Sequence, residues 1–319
     1  TKYYQSPWEF RPRGQSGMLI SDLLPNIARH ADDLCVINSM HTDHNAHPQA
    51  ILQMNTGSFA FTRPSVGSWC VYGLGTENQN LPGFVTINPA ADNGGAMNYG
   101  SAFLPATFQG TRLSTGGGGV PDLSNGRLSD AQQRKQIEFI QKANRKLLSG
   151  DPGNPEIEGI IQSYELAYKM QTSVPEVLDL DKEPQHIREL YGLNDGNTER
   201  FGTQCLMARR MAEKGVRFIQ LTSPGWDHHN GLRDNLARQC TSIDKPIAGL
   251  IADLRTAFLE SAERQLDLLS RARCDANWQL AAYRLKGLAA SFGDVRASIE
   301  SLVAMAKSPA ELNGLVARL

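Results

Sequence analysis

Short apolar runs alternate with amphipathic stretches along most of the chain. Residues 34–37, 84–87 and 216–221 are apolar runs of strand length, and a Leu-Pro-Gly turn signal precedes the second of them. Five stretches instead carry apolar residues at helical spacing, which predicts helices over 23–30, 129–148, 155–171, 198–214 and 232–254.

Local signals indicate where three of these elements begin or end. Ser129 suits an N-cap, Pro155 suits a first helical turn, and Gly215 suits the stop that separates helix 198–214 from strand 216–221. Because helices alternate with strands, the pattern predicts an α/β fold with a mostly parallel sheet flanked by helices.

Two regions depart from this alternation. Residues 88–126 are rich in Gly, Asn, Ser and Pro, which predicts a long loop with a flexible linker at the glycine run 116–119. Residues 256–319 show no strand signal, and their Leu, Ala and Arg residues fall at helical spacing. We therefore predict an α/β domain over 1–255 and a small all-α helical bundle segment over 256–319.

The composition narrows the classes of partner. The 319 residues include 32 basic and 33 acidic side chains, for a formal net charge of −1, so we expect neither nucleic acid nor an anionic membrane surface as a partner. No apolar run approaches the roughly 20 residues of a membrane helix. The five cysteines lie far apart without a CxxC pair, which predicts buried free thiols.

Histidine and aspartate concentrate in two stretches that follow predicted strands. HTDHNAH, at 41–47, follows the run 34–37, and WDHHN, at 226–230, follows the run 216–221. Because the carboxyl ends of parallel strands meet at one edge of a sheet, we expect the two stretches to lie close together. Their candidate metal ligands are Asp43, His47, Asp227, His228 and His229.

Two interpretations of these stretches stay open. Mixed carboxylate and imidazole ligands suit Zn, Mn or Fe, whereas Mg and Ca prefer oxygen ligands alone. A bound divalent metal activates water or holds phosphoryl and sulfuryl oxygens. The alternative is ordinary solvated surface, because the spacing matches no named metal motif such as HExxH.

Long stretches of the chain resemble the DUF1501 family of sulfatase-like bacterial proteins, which is abundant in planctomycetes and placed in the alkaline phosphatase superfamily. The resemblance covers residues up to about 255 and includes GQSGMLISDLLPNIARHADDLCVINSMHTD, RPSVGSWCVYGLGTENQNLPGFV, CLMARRMAEKGVRFIQL and WDHH. It implies an alkaline-phosphatase-like sheet flanked by helices and a divalent metal site. Asp43 and His47 match the family's Asp/His loop, and Asp227 to His229 match its WDHH.

The same resemblance implies motifs that this sequence does not contain. A GGxSxxDxFD-like segment, a GGEFGR segment and a GRDHH-like loop supply further ligands in the family and are absent here. We therefore expect an incomplete sheet, and a metal-dependent hydrolase of sulfate or phosphate esters that is inactive as it stands.

The last segment resembles a different family, the histidine phosphotransfer (HPt) domains of bacterial phosphorelays. The stretch AAYRLKGLAASFG is similar to their motif AAHRLKGxAxxFG, with Tyr283 at the position of the phosphorylated histidine and with Lys286 and Gly287 matching. A phenol of pKa near 10 accepts phosphoryl groups poorly at neutral pH. The alternative function is therefore a non-catalytic interaction protein whose degenerate tail docks a receiver domain.

The two resemblances imply different compartments. The DUF1501 resemblance implies an exported protein, and the HPt resemblance implies a cytoplasmic one, so the sequence leaves localisation open.

Overall fold

A computed structural model of the chain describes residues 5–76, 78, 80–115 and 128–271. Backbone contacts group the residues up to Leu250 into one compact unit, and of the unit that follows only residues 251–271 are described. The glycine run at 116–119, Tyr283, Lys286 and Gly287 lie outside the described residues. The predictions made for them therefore stay predictions.

Five strands and seven α-helices make up the described chain. In chain order they are β1 (Phe10–Arg13), β2 (Met18–Ser21), α1 (His47–Thr56), α2 (Val66–Leu74), β3 (Phe84–Ile87), β4 (Thr111–Leu113), α3 (Asp130–Gly150), α4 (Pro155–Leu178), α5 (Gln185–Leu190), α6 (Glu199–Glu213), β5 (Phe218–Leu221) and α7 (Leu232–Arg271). Short 3₁₀ helices occupy Ile27–Asp33, Gly95–Tyr99, Ala106–Phe108 and Leu180–Lys182.

A three-stranded parallel sheet in the order β4-β3-β5 lies at the centre of the fold. Val85 of β3 pairs with Thr111 on one side and with Ile219 on the other. All four residues of β3 are buried, because strands cover both of its edges and helices pack on the sheet. The result is a mixed α/β fold with a small parallel sheet flanked by helices, as the sequence pattern predicts.

The main apolar core joins this sheet to α4 and α6. Val85, Ile87 and Leu113 of the sheet pack with Val174 of α4 and Met211 of α6, and each of these side chains is at most 1% exposed. Burial of this kind stabilises by roughly 1.5–3 kcal/mol for each large apolar side chain. The sheet therefore provides a rigid base for the loops at its carboxyl edge.

Several predicted helix ends are confirmed. Ser129 caps α3 because its hydroxyl accepts from the Gln132 amide, and Oε1 of Gln132 accepts from the Ser129 amide, which completes a capping box. Helix α6 ends before Gly215, whose φ of +84° is the left-handed conformation that favours glycine. Helix α4 begins at Pro155 as predicted, but it continues through Pro175 to Leu178.

The predicted strand at 34–37 is wrong. Val36 and Ile37 are 54% and 60% exposed, and the segment forms no ladder. An apolar run becomes a strand only when a neighbouring strand pairs with it, and none of the described strands does so here. The first predicted helix is also shifted, to the 3₁₀ helix Ile27–Asp33.

The pattern also failed to predict several elements. The β1–β2 hairpin, α1, α2 and α5 were not predicted, and β4 lies within the stretch predicted as a loop. Strand β4 is only three residues long, and its register is fixed by β3 rather than by its own sequence. Such short strands carry almost no periodic signal.

Helix α7 passes the predicted boundary between residues 255 and 256 without interruption. That boundary stays a prediction. No described helix is long and apolar enough to cross a membrane.

Cys205 and Cys240 are buried as predicted, whereas Cys35 is exposed. Burial raises the pKa of the Cys205 thiol to about 12, so this thiol stays protonated and unreactive.

Candidate functional site

The start of helix α1 and the loop after strand β5 meet at one carboxylate. His47, the first residue of α1, places its Nε2 atom 3.1 Å from Oδ2 of Asp227. His229 places its Nε2 atom 2.8 Å from the same oxygen. Two imidazoles from distant parts of the sequence therefore converge on a single aspartate oxygen.

Glutamine and asparagine side chains bring these segments together. Gln220 on β5 donates from Nε2 to Oδ1 of Asn55 on α1 at 3.0 Å, which ties the helix to the strand. Gln239 on α7 donates to Oγ of Ser223 and to the carbonyl oxygen of Pro224, at 3.0 and 2.9 Å. Hydrogen bonds at Gln220, Ser223 and Pro224 therefore hold the end of β5 and the start of the loop shortly before Asp227.

The cluster is open to solvent and carries a stabilised carboxylate. The side chains of His47, Asp227 and His229 are 63%, 51% and 82% exposed. The hydrogen bond from His229, with smaller contributions from its charge and from His47, lowers the pKa of Asp227 below its ordinary value. For both rings to donate to Asp227, each must carry its proton on Nε2. A metal bound by these rings would take the place of that proton.

Asp43 lies outside this cluster and binds α1 instead. Its backbone amide donates to Oε1 of Gln53 at 2.9 Å, and Nε2 of Gln53 donates to its carboxylate at 2.6 Å. His44 is also held locally, because its Nδ1 accepts from the Ala46 amide at 3.1 Å. These contacts fix the loop that leads into His47.

The surroundings of His228 differ from those of Asp227 and His229. It is only half-exposed, and its Nε2 atom is buried without a hydrogen-bond partner among the described residues. The Oε1 atom of Gln49, two residues after His47, is likewise buried and unpartnered. Each such group costs about 1–3 kcal/mol. Atoms of this kind also occur away from the cluster, at Thr86 and Gln204 for example, so they do not by themselves mark the site.

The donor set can be tested against the needs of a metal. Two imidazoles and one carboxylate match the three protein ligands of catalytic Zn or Fe sites that keep a position open. The observed N–O separations are those of hydrogen bonds, and no group of three or more His, Cys, Asp or Glu side chains within the described part of the chain is arranged to hold a metal ion. The chemistry fits, but the side chains would have to rotate, which their exposure allows.

Sequence reasoning did not identify the polar residues that position the cluster. Gln53, Gln220 and Gln239 belong to no motif, and their roles depend on partners far away in the sequence. It also missed Arg112 and Arg200, which line a cavity at the carboxyl edge of the sheet.

Comparison with known proteins identifies the family of the chain. No curated protein and no solved structure matches the chain. One family model, described as a protein of unknown function (DUF1501), matches residues 1–261. The match supports neither the sulfatase-like assignment nor the HPt resemblance of the last segment, so both stay predictions. Because this match spans most of the 319 residues, the chain belongs to the DUF1501 family.

Proposed function

We propose that the His47–Asp227–His229 cluster is the metal-binding centre of a divalent-metal-dependent hydrolase of phosphate or sulfate esters. One observation carries the proposal: Nε2 of His47, 180 residues from Asp227 in the sequence, meets the same carboxylate oxygen as Nε2 of His229. Asp22 also has two charged partners, Arg11 and Arg13, but guanidinium groups do not ligate metal, whereas imidazoles do. Convergence of three metal-ligating side chains in an exposed position is better explained by a ligand.

The donor chemistry favours particular metals. Imidazole with carboxylate suits Zn, Mn or Fe better than Mg or Ca, which prefer oxygen alone. When bound, such a metal polarises an ester oxygen and activates water. His47, Asp227 and His229 would hold it, and the unpartnered Nε2 of His228 is the nearest further donor along the chain.

The first test of the proposal is metal content. The purified chain is loaded with Zn²⁺ or Mn²⁺, freed of excess metal and measured by inductively coupled plasma mass spectrometry. We expect about one metal per chain, and its loss in Asp227→Ala and His229→Ala. The matched controls are Asp234→Ala and His186→Ala, which remove the same groups from exposed positions elsewhere. Equal metal content in Asp227→Ala and Asp234→Ala would overturn the assignment.

The second test addresses the ester oxyanion. A metal centre that hydrolyses phosphate or sulfate esters must hold the oxyanion, so orthovanadate should raise the melting temperature of the metal-loaded protein. The rise should disappear after chelation and in Asp227→Ala. Metal binding without a metal-dependent vanadate effect would leave a metal-binding protein and contradict the hydrolase assignment. Turnover of 4-nitrophenyl esters is secondary, because ligand motifs implied by the sequence resemblance are not in this chain.

A further inference from the structure

A second polar site lies at the carboxyl edge of the sheet. A cavity of about 700 Å³ is bordered by Asn88 after β3, by Thr115 after β4 and by Pro224 after β5. Strand β3 is the central strand, with β4 on one side and β5 on the other. The chain continues from β3 to β4 on one side and later forms β5 on the opposite side, so β3 is the point at which the strand order reverses. In parallel α/β sheets, ligands bind in the crevice at this kind of switch point.

The floor of this cavity is held in place before any ligand binds. Asn88 adopts a positive φ of 49°, and its side chain donates to Oγ1 of Thr115 at 2.7 Å and accepts from the Thr115 amide at 3.0 Å. The Asn88 amide also donates to the carbonyl of Leu113 at 2.9 Å. The ends of β3 and β4 are thereby locked together, and a preformed site loses less entropy on binding.

Charged side chains that lack a partner among the described residues line the cavity walls. Arg112 extends from β4 and Arg200 from the first turn of α6, with Asp92 and Glu199 also at the wall. None of these four side chains makes an ion pair or a side-chain hydrogen bond with the described residues. Surface arginines elsewhere differ: Arg134 and Arg145 pair with carboxylates, whereas Arg63 and Arg233 make no ion pair with the described residues. The absence of a pair therefore does not by itself mark the cavity. What distinguishes the cavity is that two arginines and two carboxylates without a partner among the described residues border one preformed space, which fits a ligand that pairs with them.

We propose that this cavity binds a small hydroxylated anion, such as the phosphate monoester of a polyol. The guanidinium groups of Arg112 and Arg200 offer the planar donor pairs that oxyanions accept. Asp92 and Glu199 can only accept, so they select a ligand that carries hydroxyl donors besides its anion. The volume suits a small molecule and exceeds what a bare phosphate ion needs.

Isothermal titration calorimetry on the full chain tests this proposal, in chelator and at constant ionic strength so that no metal contributes. The probes are glycerol 3-phosphate, inorganic phosphate, sulfate and glycerol. We expect glycerol 3-phosphate to bind more tightly than phosphate or sulfate, and glycerol not to bind. Arg112→Gln and Arg200→Gln should each weaken glycerol 3-phosphate binding about tenfold. Arg134→Gln, which removes the same charge from exposed helix α3, is the matched control.

A second variant tests the hydroxyl-selecting wall separately. Glu199→Ala, which removes an acceptor, should keep phosphate binding and weaken the preference for glycerol 3-phosphate. The proposal is overturned if the wild-type chain shows no saturable binding, if Arg134→Gln loses as much affinity as Arg112→Gln, or if folded Arg112→Gln and Arg200→Gln bind like wild type. Asp227→Ala should bind the probe normally in chelator, so failure of the metal centre and failure of this cavity are distinguishable.

Discussion

Asp244 and Asp227 both join segments that are far apart in sequence, but they do so in opposite surroundings. Asp244 on α7 is 3% exposed and accepts from the amides of Asn26 and Ile27 and from Nδ2 of Asn26, at 2.7–3.1 Å. Asp227 is half-exposed and accepts from two imidazoles. One carboxylate therefore binds backbone, and the other binds groups that can themselves bind metal.

The difference separates a structural carboxylate from the carboxylate that we propose as a metal ligand. Backbone amides cannot rotate away from their acceptor as a side chain can. Asp244 therefore holds the start of the 3₁₀ helix Ile27–Asp33 against α7. Imidazoles on exposed side chains can rotate away at little cost, so Asp227 remains available to a ligand. Substitutions at the two positions should consequently separate stability from binding.

The largest expected effect is on stability, at Asp244. Asp244→Ala leaves the amides of Asn26 and Ile27 without acceptors in a largely buried place, and should lower the free energy of unfolding by about 3 kcal/mol. Urea unfolding followed by circular dichroism measures this loss. Asp234→Ala, an exposed position on the same helix, should change it by less than about 0.5 kcal/mol. A loss below about 1 kcal/mol in Asp244→Ala would show that the amides find other acceptors.

An intermediate effect is expected at Asp32, which binds backbone but is exposed. It accepts from the amides of Gln15 and Ser16, both at 2.9 Å, in the turn between β1 and β2. Those bonds, Ser16 first, lower the pKa of Asp32. The stabilisation of the hairpin is therefore complete above pH of about 3.9 and is lost as the pH falls through the lower, folded pKa. Hydrogen exchange of both amides should quicken in Asp32→Ala, and unchanged exchange would contradict this role.

Local signals made part of the fold predictable from sequence. Ser129 and Gly215 mark ends of helices α3 and α6 because capping depends on residues within one turn. Strand β3 was predictable because its whole apolar run is buried. The strand predicted at 34–37 failed because an apolar run does not reveal whether a partner strand exists. The hairpin was missed although Gly14 and Gly17 mark its turn with positive φ.

The candidate site was predictable only as a set of residues. The sequence places His47 and Asp227 in His-rich stretches, but their proximity was predicted from a strand at 34–37 that does not form. The structure brings them together through α1, which the Gln220–Asn55 hydrogen bond ties to β5. Asp43 lies near His47 in sequence yet bonds to Gln53. Long-range polar pairs of this kind leave no periodic pattern in a sequence.

Removal of the exposed carboxylate should leave stability unchanged. Asp227→Ala breaks only solvent-exposed contacts, so its urea midpoint should equal that of the wild-type protein, while metal binding is lost. This is the reverse of Asp244→Ala, which should unfold more easily. A large stability loss in metal-free Asp227→Ala would mean that the cluster is a structural clasp, and the distinction between the two carboxylates would fail.

The smallest expected effect is a shift in the pKa of Asp227 itself, and it tests which imidazole dominates. The contact from His229 is shorter than that from His47, and its hydrogen bond is the largest cause of the lowered pKa. His229→Ala should therefore raise the pKa of Asp227 more than His47→Ala does, as measured by carboxyl ¹³C chemical shifts during an NMR titration. Because the pKa is depressed, the bonds to Asp227 persist above its ordinary value of about 3.9 and fail as the pH falls through the folded value. Added salt should shrink the charge contribution of both rings, since all three side chains are exposed. If His47→Ala has the larger effect, the cluster is centred on α1 and not on the loop after β5, and His47 becomes the first ligand to substitute.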